Sequence, residues 1–501
     1  MSLVKPKLEG TEISTSKPTF DKLRKNILLF VFLCVCAFII NKGYKLSGLY
    51  MDDLYNWSCF GEQSFLEFVF PTDSTRCRFV YWAASWLELF FIGNDIPRIL
   101  TINIVLNTII AFIVYGFCKE ISNSTVAGVI VAILYLASPF SYYQISQLLG
   151  LMESMATLFS LCIIICLYKY LEIGKYFYHA LVFYFLCVFT HERFIVLLPL
   201  FIFVLMTRRD EAKKYICTFV LFAIILAIRM FFIGTLSPAG TGGTNVEDTF
   251  TWGSMIKSFA QEILYMACIN MGPEYLCGVP WESYSSDMKT MSIMILAAYI
   301  IIFIWGMMII RRARLQNYTL AKILLFVGAI GGTVLSSSVT IRVELRWIYV
   351  PFTILMFLMV FMITKVYVFN RDGCFASLYN IIFFGVAMLI LCMQINLRAG
   401  TQNIYLYENQ RRCNSLADVT YGVYGDELFE KDIYIVENSY EMSEFNANTF
   451  FKTFDKNRVG CMVYFVDTVE DIEIVDDNVL VLVEDAEHDA YIDITDELSS
   501  T

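Results

Sequence analysis

The feature that most limits what this chain can fold into is a series of long apolar runs spread over residues 27–395. A bilayer interior about 30 Å thick is crossed by roughly 20 apolar residues in helical form. No water is there to satisfy backbone groups, so each such run has to be helical. Runs at 27–40, 98–117, 125–141, 151–168, 178–190, 194–207, 215–233, 290–310, 320–338, 347–367 and 376–395 predict about eleven spans. With 57% hydrophobic residues among 501, the chain is too apolar for a single soluble core. The expected fold is an all-α polytopic membrane bundle followed by a small extramembrane α/β domain.

Charge is divided unevenly along the chain, and the division sets the domain boundaries. Residues 396–501 hold 23 Asp and Glu against 7 Lys and Arg, so the preceding part is net positive although the whole chain is at −10. That contrast separates a cytoplasmic N-terminal segment (1–25), a membrane domain (26–395) and a solvated acidic domain (396–501). Lys22, Arg24 and Lys25 precede the first run and hold the N-terminus in the cytoplasm. Lys119, Lys169 with Lys175, Arg208-Arg209 with Lys213-Lys214, Arg311-Arg312 with Arg314 and Lys322, and Lys365 with Arg371 fall on that same side. By alternation, the loop 42–97, the turn at His191, residues 234–289, the turn at 342–346 and the acidic tail face outward. Residues 79–92 are apolar but short and aromatic, which predicts a helix lying in the interface.

In the tail, short runs at Asp432–Val436, Val463–Asp467 and Val479–Glu484 predict strands and Ser443–Phe454 a helix. This domain is expected to hang outside as a tethered unit that caps the protein or binds an acceptor or partner. Cysteines within apolar runs, such as Cys34, Cys162 and Cys187, act as small hydrophobes. Cys59 with Cys77, and Cys268 with Cys277, share outer loops and could pair in an oxidising compartment. With three histidines and no Cys-x-x-Cys, a zinc site is not expected. The glycine-rich stretch 239–244 has no Lys-Ser/Thr after it, so it is a loop and not a phosphate cradle. No internal repeat or nucleic-acid motif occurs.

Ionisable residues gather at the outward ends of the runs. Asp52 and Asp53 are adjacent just after the first one, and two carboxylates so close raise the pKa of one member, as a base near neutrality requires. Arg76 and Arg78 precede the interfacial helix and carry the planar donor fork that suits phosphate. Glu153 opens another run, and His191-Glu192-Arg193 fills a very short turn. Charges this near the bilayer interior are costly unless they line an aqueous cavity or pair with one another. Arg342 and Arg346 are four apart, which puts both on one face if a helix already runs there. The same residues could instead form a solvated turn, contact lipid phosphates or pair for purely structural reasons.

These residues resemble those of the polytopic GT-C glycosyltransferases, the class that includes protein O-mannosyltransferases and the lipid A aminoarabinose transferase. Asp52-Asp53 matches their acidic pair in the first outer loop, Arg346-Trp-Ile-Tyr-Val-Pro351 is similar to their late arginine-aromatic motif, and His191-Glu192 resembles a Lys-Glu element of some members. The resemblance spans about residues 20–395. It implies inverting transfer of a sugar from a polyprenyl-phosphate carrier to a glycan, lipid or protein acceptor at the outer face of the plasma membrane. Asp52 would be the general base, and Asp53 would orient the acceptor or a divalent ion. Arg346, with Arg342 or Arg78, would hold the departing phosphate, while Glu153, His191 and Glu192 would line the substrate site. Some members use Mg or Mn and others need no metal, so a divalent cation stays open as a cofactor. A transporter or flippase, a polysaccharide polymerase and a non-catalytic scaffold are the rival readings.

Overall fold

The computed structural model describes residues 20–499, apart from 73, 237–239, 241–245, 273–277, 313–316, 341–342, 370–375, 401–404 and 473–477. Among the described residues, eight helices are long and apolar enough to cross a membrane, and a bent pair supplies a ninth if counted as one span. In chain order, α1 (Phe20–Ile40) is followed by the short α2 (Asp52–Glu62), α3 (Phe65–Val69) and α4 (Phe79–Ile92) of the first loop. Next come α5 (Pro97–Ser122), α6 (Thr125–Ala137), α7 (Tyr142–Ser146), α8 (Gly150–Ile173), α9 (Phe177–Thr190), α10 (Leu198–Arg208) and α11 (Ala212–Ile233). A second set of short helices, α12 (Val246–Thr249) and α13 (Trp252–Tyr265), leads into α14 (Ser286–Arg312), α15 (Asn317–Ser338), α16 (Tyr349–Phe369) and α17 (Ala376–Gly400). The chain is a multi-pass membrane protein with a small domain at its C-terminal end.

Local chemistry sets many of these boundaries. Ser64 and Glu67 form a reciprocal capping box on α3, the Ser124 side chain accepts from the Ala127 amide at the start of α6, and Pro97 occupies the first turn of α5. The predicted span 125–141 breaks at Ser138-Pro139, where Ser138 is extended and the chain turns by 54° into α7. A residue before proline is driven out of the helical region, so the break is written in the sequence. Gly150 starts α8 against the end of α7, and a Cβ there would lie 2.6 Å from the Gln144 carbonyl oxygen.

The helices at the predicted spans 178–190 and 194–207 are too short to cross a bilayer singly. α9 has 14 residues, about 21 Å at 1.5 Å per residue, and α10 has 11 after a 3-10 turn over Glu192–Leu197. They form an out-and-back pair, so counting both or neither leaves every other helix on its expected side. The basic residues that alternation groups together do meet at one end of the bundle. Lys169 pairs with Glu120 at 2.8 Å, Lys322 with Glu172 at 3.1 Å and Lys214 with Asp210 at 2.5 Å. Arg208 donates to the Tyr170 carbonyl at 2.9 Å in the same region.

At the opposite end sits the C-terminal domain. It comprises α18 (Tyr405–Val419), α19 (Tyr421–Tyr424), β1 (Asp432–Val436), α20 (Glu444–Lys452), β2 (Met462–Val466), β3 (Val479–Asp485), β4 (Ala490–Asp493) and α21 (Thr495–Ser499). The sheet order is β2-β1-β3-β4, with β1 parallel to both neighbours and β4 antiparallel to β3. Three strands and α20 are where the hydrophobic pattern predicts them; β4 is too short to carry an alternating pattern. The domain is more than a tethered appendage. Leu416, Phe450, Leu480 and Leu482 share one buried cluster with Leu49, Trp57, Leu89, Ile96 and Leu148 of the membrane domain. Arg458 lies over the Trp57 ring at 4.1 Å, and Asn94 donates to the Thr453 carbonyl at 2.8 Å. Cys59 and Cys77 are separate free thiols, and Cys277 lies outside the described residues.

Candidate functional site

Five sequence elements bring charged side chains to the domain-bearing end of the bundle. Glu153, in the first turn of α8, is fully buried and stands between two guanidinium groups. Arg193 donates to its Oε2 at 2.6 Å, and Arg346 Nε lies 3.6 Å from its Oε1. Arg346 also pairs with Glu344 at 2.5 Å and stacks on the Tyr143 ring with its guanidinium carbon 4.0 Å from the centroid. Beside this group, Arg78 grips Glu192 through two bonds of 2.8 and 3.1 Å, and Arg76 adds a third at 2.9 Å. Burial opposes ionisation of Glu192, yet Arg78, with Arg76 beside it, outweighs it and holds this carboxyl well below the usual range.

His191 is neutral for the converse reason. Its burial, reinforced by Arg78 and Arg193, pushes its pKa well below the ordinary value. At 3.6 Å from Glu153 it makes neither an ion pair nor a hydrogen bond with that carboxylate. Four buried atoms of the cluster have no hydrogen-bond partner: Glu153 Oε1, His191 Nδ1, Arg193 Nη1 and Arg346 Nε. Buried polar groups of native proteins are nearly always satisfied, so such a convergence marks a place for water or a polar ligand. Of the four atoms, Arg346 Nε and Glu153 Oε1 stand 3.6 Å apart, too far for a hydrogen bond, and Arg193 Nη1 is a further guanidinium donor of the kind that suits the oxygens of an anion.

The adjacent carboxylates part company at the start of α2. Asp53 is buried, and its two oxygens accept the amides of Leu148 at 2.7 Å and Leu149 at 3.0 Å. Burial pushes its pKa up to about 7 against those two bonds, with Asp52 adding the smallest contribution. The raised pKa expected of the pair therefore arises from desolvation more than from the neighbouring carboxylate. Both Asp53 oxygens are engaged in fixing the turn that leads into Glu153, so Asp53 is a positioning residue. Asp52 is exposed on the same helix end. Both carboxylates and Arg346 act electrostatically on Tyr143, which lies between the acidic helix start and the arginine cluster.

Of the residues singled out in the sequence, Arg78, Glu153, His191, Glu192 and Arg346 meet in one cluster, with Asp52 beside it across Tyr143. Arg342 lies outside the described residues, and the helical turn before α16 starts only at Leu345, so no helix spans positions 343–344 to put the two arginines on one face. Arg76 and Arg193, noted in the same stretches, join them, and Glu344 and Tyr143 complete the cluster. Glu344 lies between the two arginines of the turn 342–346, whereas a lone tyrosine after a broken span carries no charge signal. Among the described residues no group of three or more His, Cys, Asp or Glu side chains could hold a metal ion. With Asp53 committed to backbone amides, the described residues of this cluster do not make a Mg or Mn site.

Glu262 of α13 backs the cluster beside Arg193, although no pattern in the sequence marks it. Fully buried, it accepts from Ser337 at 2.6 Å and Ser338 at 3.2 Å. Burial pushes its pKa up to about 8, against those two hydroxyls and Arg193. The unfolded carboxyl releases its proton near 4.5, so between that pH and about 8 the folded protein holds the extra proton. This contribution is complete below the lower value and is lost as pH rises through the upper one. Melting temperature in detergent should therefore fall between pH 5 and pH 8.5, and Glu262→Gln should flatten that slope; an unchanged slope would place the titration elsewhere.

No protein-family model matches the chain, and no curated protein matches it significantly.

Proposed function

We propose that this protein is a membrane glycosyltransferase that moves a sugar from a polyprenyl-phosphate carrier to a glycan, lipid or protein acceptor. The observation that carries the reading is the pair of buried, incompletely satisfied guanidinium groups, Arg193 and Arg346, held on Glu153, with Tyr143 between Arg346 and the acidic start of α2. A leaving phosphate needs fixed positive charge where its own charge develops, in a place from which water is largely excluded. The carrier's apolar tail would lie between helices while its phosphate met Arg346 and Arg193.

In the proposed step the acceptor hydroxyl gives its proton to the Asp52 carboxylate, and its oxygen attacks the anomeric carbon of the donor. The bond from that carbon to the phosphate oxygen breaks, the electron pair leaves with the phosphate, and configuration inverts. Asp53 takes no part in the chemistry; it fixes the turn before α8, and so the height of Glu153. Arg78, tied to Glu192, shapes the wall of the site and adds to the local positive potential. The site would face outward across the plasma membrane, because both nine and eleven crossings put the C-terminal domain opposite a cytoplasmic N-terminus.

The alternative class is a carrier or flippase for a lipid-linked glycan, or a polymerase using the same donor. Charge at one end of the bundle, away from the middle of the spans, favours surface chemistry over alternating access. Reconstitution in liposomes with a polyprenyl-phosphate sugar separates them. Transfer predicts appearance of free polyprenyl phosphate together with a glycosylated acceptor. Movement of intact donor between leaflets with no phosphate released would replace this reading by the transporter one.

A further inference from the structure

A cleft of about 340 Å³ opens between α18 and the chain that joins α1 to α2, on the other side of α7 from the arginine cluster. Its volume and its position at a domain boundary are those of small-ligand sites. α7 is common to both places. Tyr142 lines the cleft, while its neighbour Tyr143 stacks under Arg346. The cleft is thus a separate cavity one helix away from the donor cluster, on a shared rigid element.

Three tyrosines form its apolar wall. Tyr142 and Tyr407 stack at 5.4 Å, and Tyr44 meets Tyr142 edge-on at 5.5 Å. The floor is locked. Gln410 donates to the Gly48 carbonyl at 2.7 Å, and Asn414 accepts from the Ser47 amide at 2.7 Å while donating to the Lys45 carbonyl at 2.8 Å. The rim carries Lys45 paired with Asp418, Arg411 and Arg412 both on Asp489, and His488 hydrogen-bonded to Asp485. Three Lys and Arg cations thus match three carboxylates, which leaves the rim with donors and acceptors side by side and no unpaired charge to attract an ion.

We propose that this cleft binds an uncharged oligosaccharide. Ring C–H faces of a hexose pack on tyrosine, and its vicinal hydroxyls each donate and accept, as paired charged groups on a rim allow. A lipid phosphate or another anion would meet Asp418 and Asp489 and gain nothing there. The volume accommodates one or two sugar rings, leaving the rest of a chain to run toward solvent. The choice of a glycan as the ligand class rests on the transferase reading, in which the cleft would hold the acceptor at a distance from the reacting end.

Gly43 supplies the test, because a Cβ at that cleft-lining position meets nothing within 4 Å. Gly43→Trp should therefore place an indole at the cleft wall without a clash at its Cβ and narrow the cleft. The full-length protein in detergent is presented to an array of uncharged oligosaccharides of three to six hexoses, as wild type, Gly43→Trp, Tyr407→Ala and Asp52→Asn. Binding by wild type and Asp52→Asn, weakened tenfold or more in Gly43→Trp and Tyr407→Ala, is the expected result. No binding to any array member at millimolar concentration, or equal binding by Gly43→Trp, overturns the inference. Failure of the transferase reading looks different: no polyprenyl phosphate is released in the liposome assay, whatever the array shows.

Discussion

Replacing Asp52 by Asn is expected to reduce sugar transfer by roughly 10²- to 10⁴-fold, the usual contribution of a general base, with protein level and membrane insertion unchanged. Asp52 is exposed at the first turn of α2, so the change removes a proton acceptor and leaves packing intact. Its neighbour provides the internal control. Asp53→Ala would strand the Leu148 and Leu149 amides, at about 1–3 kcal/mol for each buried unsatisfied group, and should lower the melting temperature first and activity as a consequence. Rates measured with purified variants in nanodiscs, alongside thermal unfolding, separate the two carboxylates. Wild-type transfer by Asp52→Asn would remove the catalytic assignment.

The second large effect belongs to Glu153. Removing one partner of a buried ion pair typically destabilises by about 3–5 kcal/mol because the remaining charge is left uncompensated. Glu153→Ala leaves Arg193 and Arg346 facing one another without the carboxylate between them. The expected outcome is a marked fall in melting temperature in detergent, with transfer lost as well. Adding Arg193→Met should restore part of the stability, since the second change removes the stranded charge; such non-additivity is the signature of a shared network. A Glu153→Ala protein as stable as wild type would mean that water, and not Glu153, balances the arginines.

The charged residues of the cluster come from α8, the α9–α10 turn, the approach to α4 and the approach to α16, and their convergence explains which parts were legible beforehand. Glu153, His191, Glu192 and Arg346 stand out in the sequence because charge beside an apolar run is unusual in itself. Arg193 stood in the same turn, but nothing in its spacing distinguishes a salt-bridge partner of Glu153 from a surface cation. Glu262 and Tyr143 carry no such signal. One lies in a moderately polar helix far along the chain, and the other in a five-residue helix after a proline break.

Elements with a local cause were legible in the residues: the apolar runs that must be helical, the helix Phe79–Ile92, three strands of the terminal sheet and the grouping of basic loops at one end; the break at Ser138-Pro139 is also local in cause but falls inside a run read as one span. Tertiary structure alone decided what each polar group faces. It sent Asp53 to backbone amides and left Asp52 exposed, set His191 neutral beside Glu153, and joined the acidic domain to the first loop through a common core. The physical reason is range. Helix formation and membrane partition depend on neighbours a few residues away, whereas burial and charge pairing depend on groups as distant in sequence as Glu153 and Arg346, whose meeting no local pattern records.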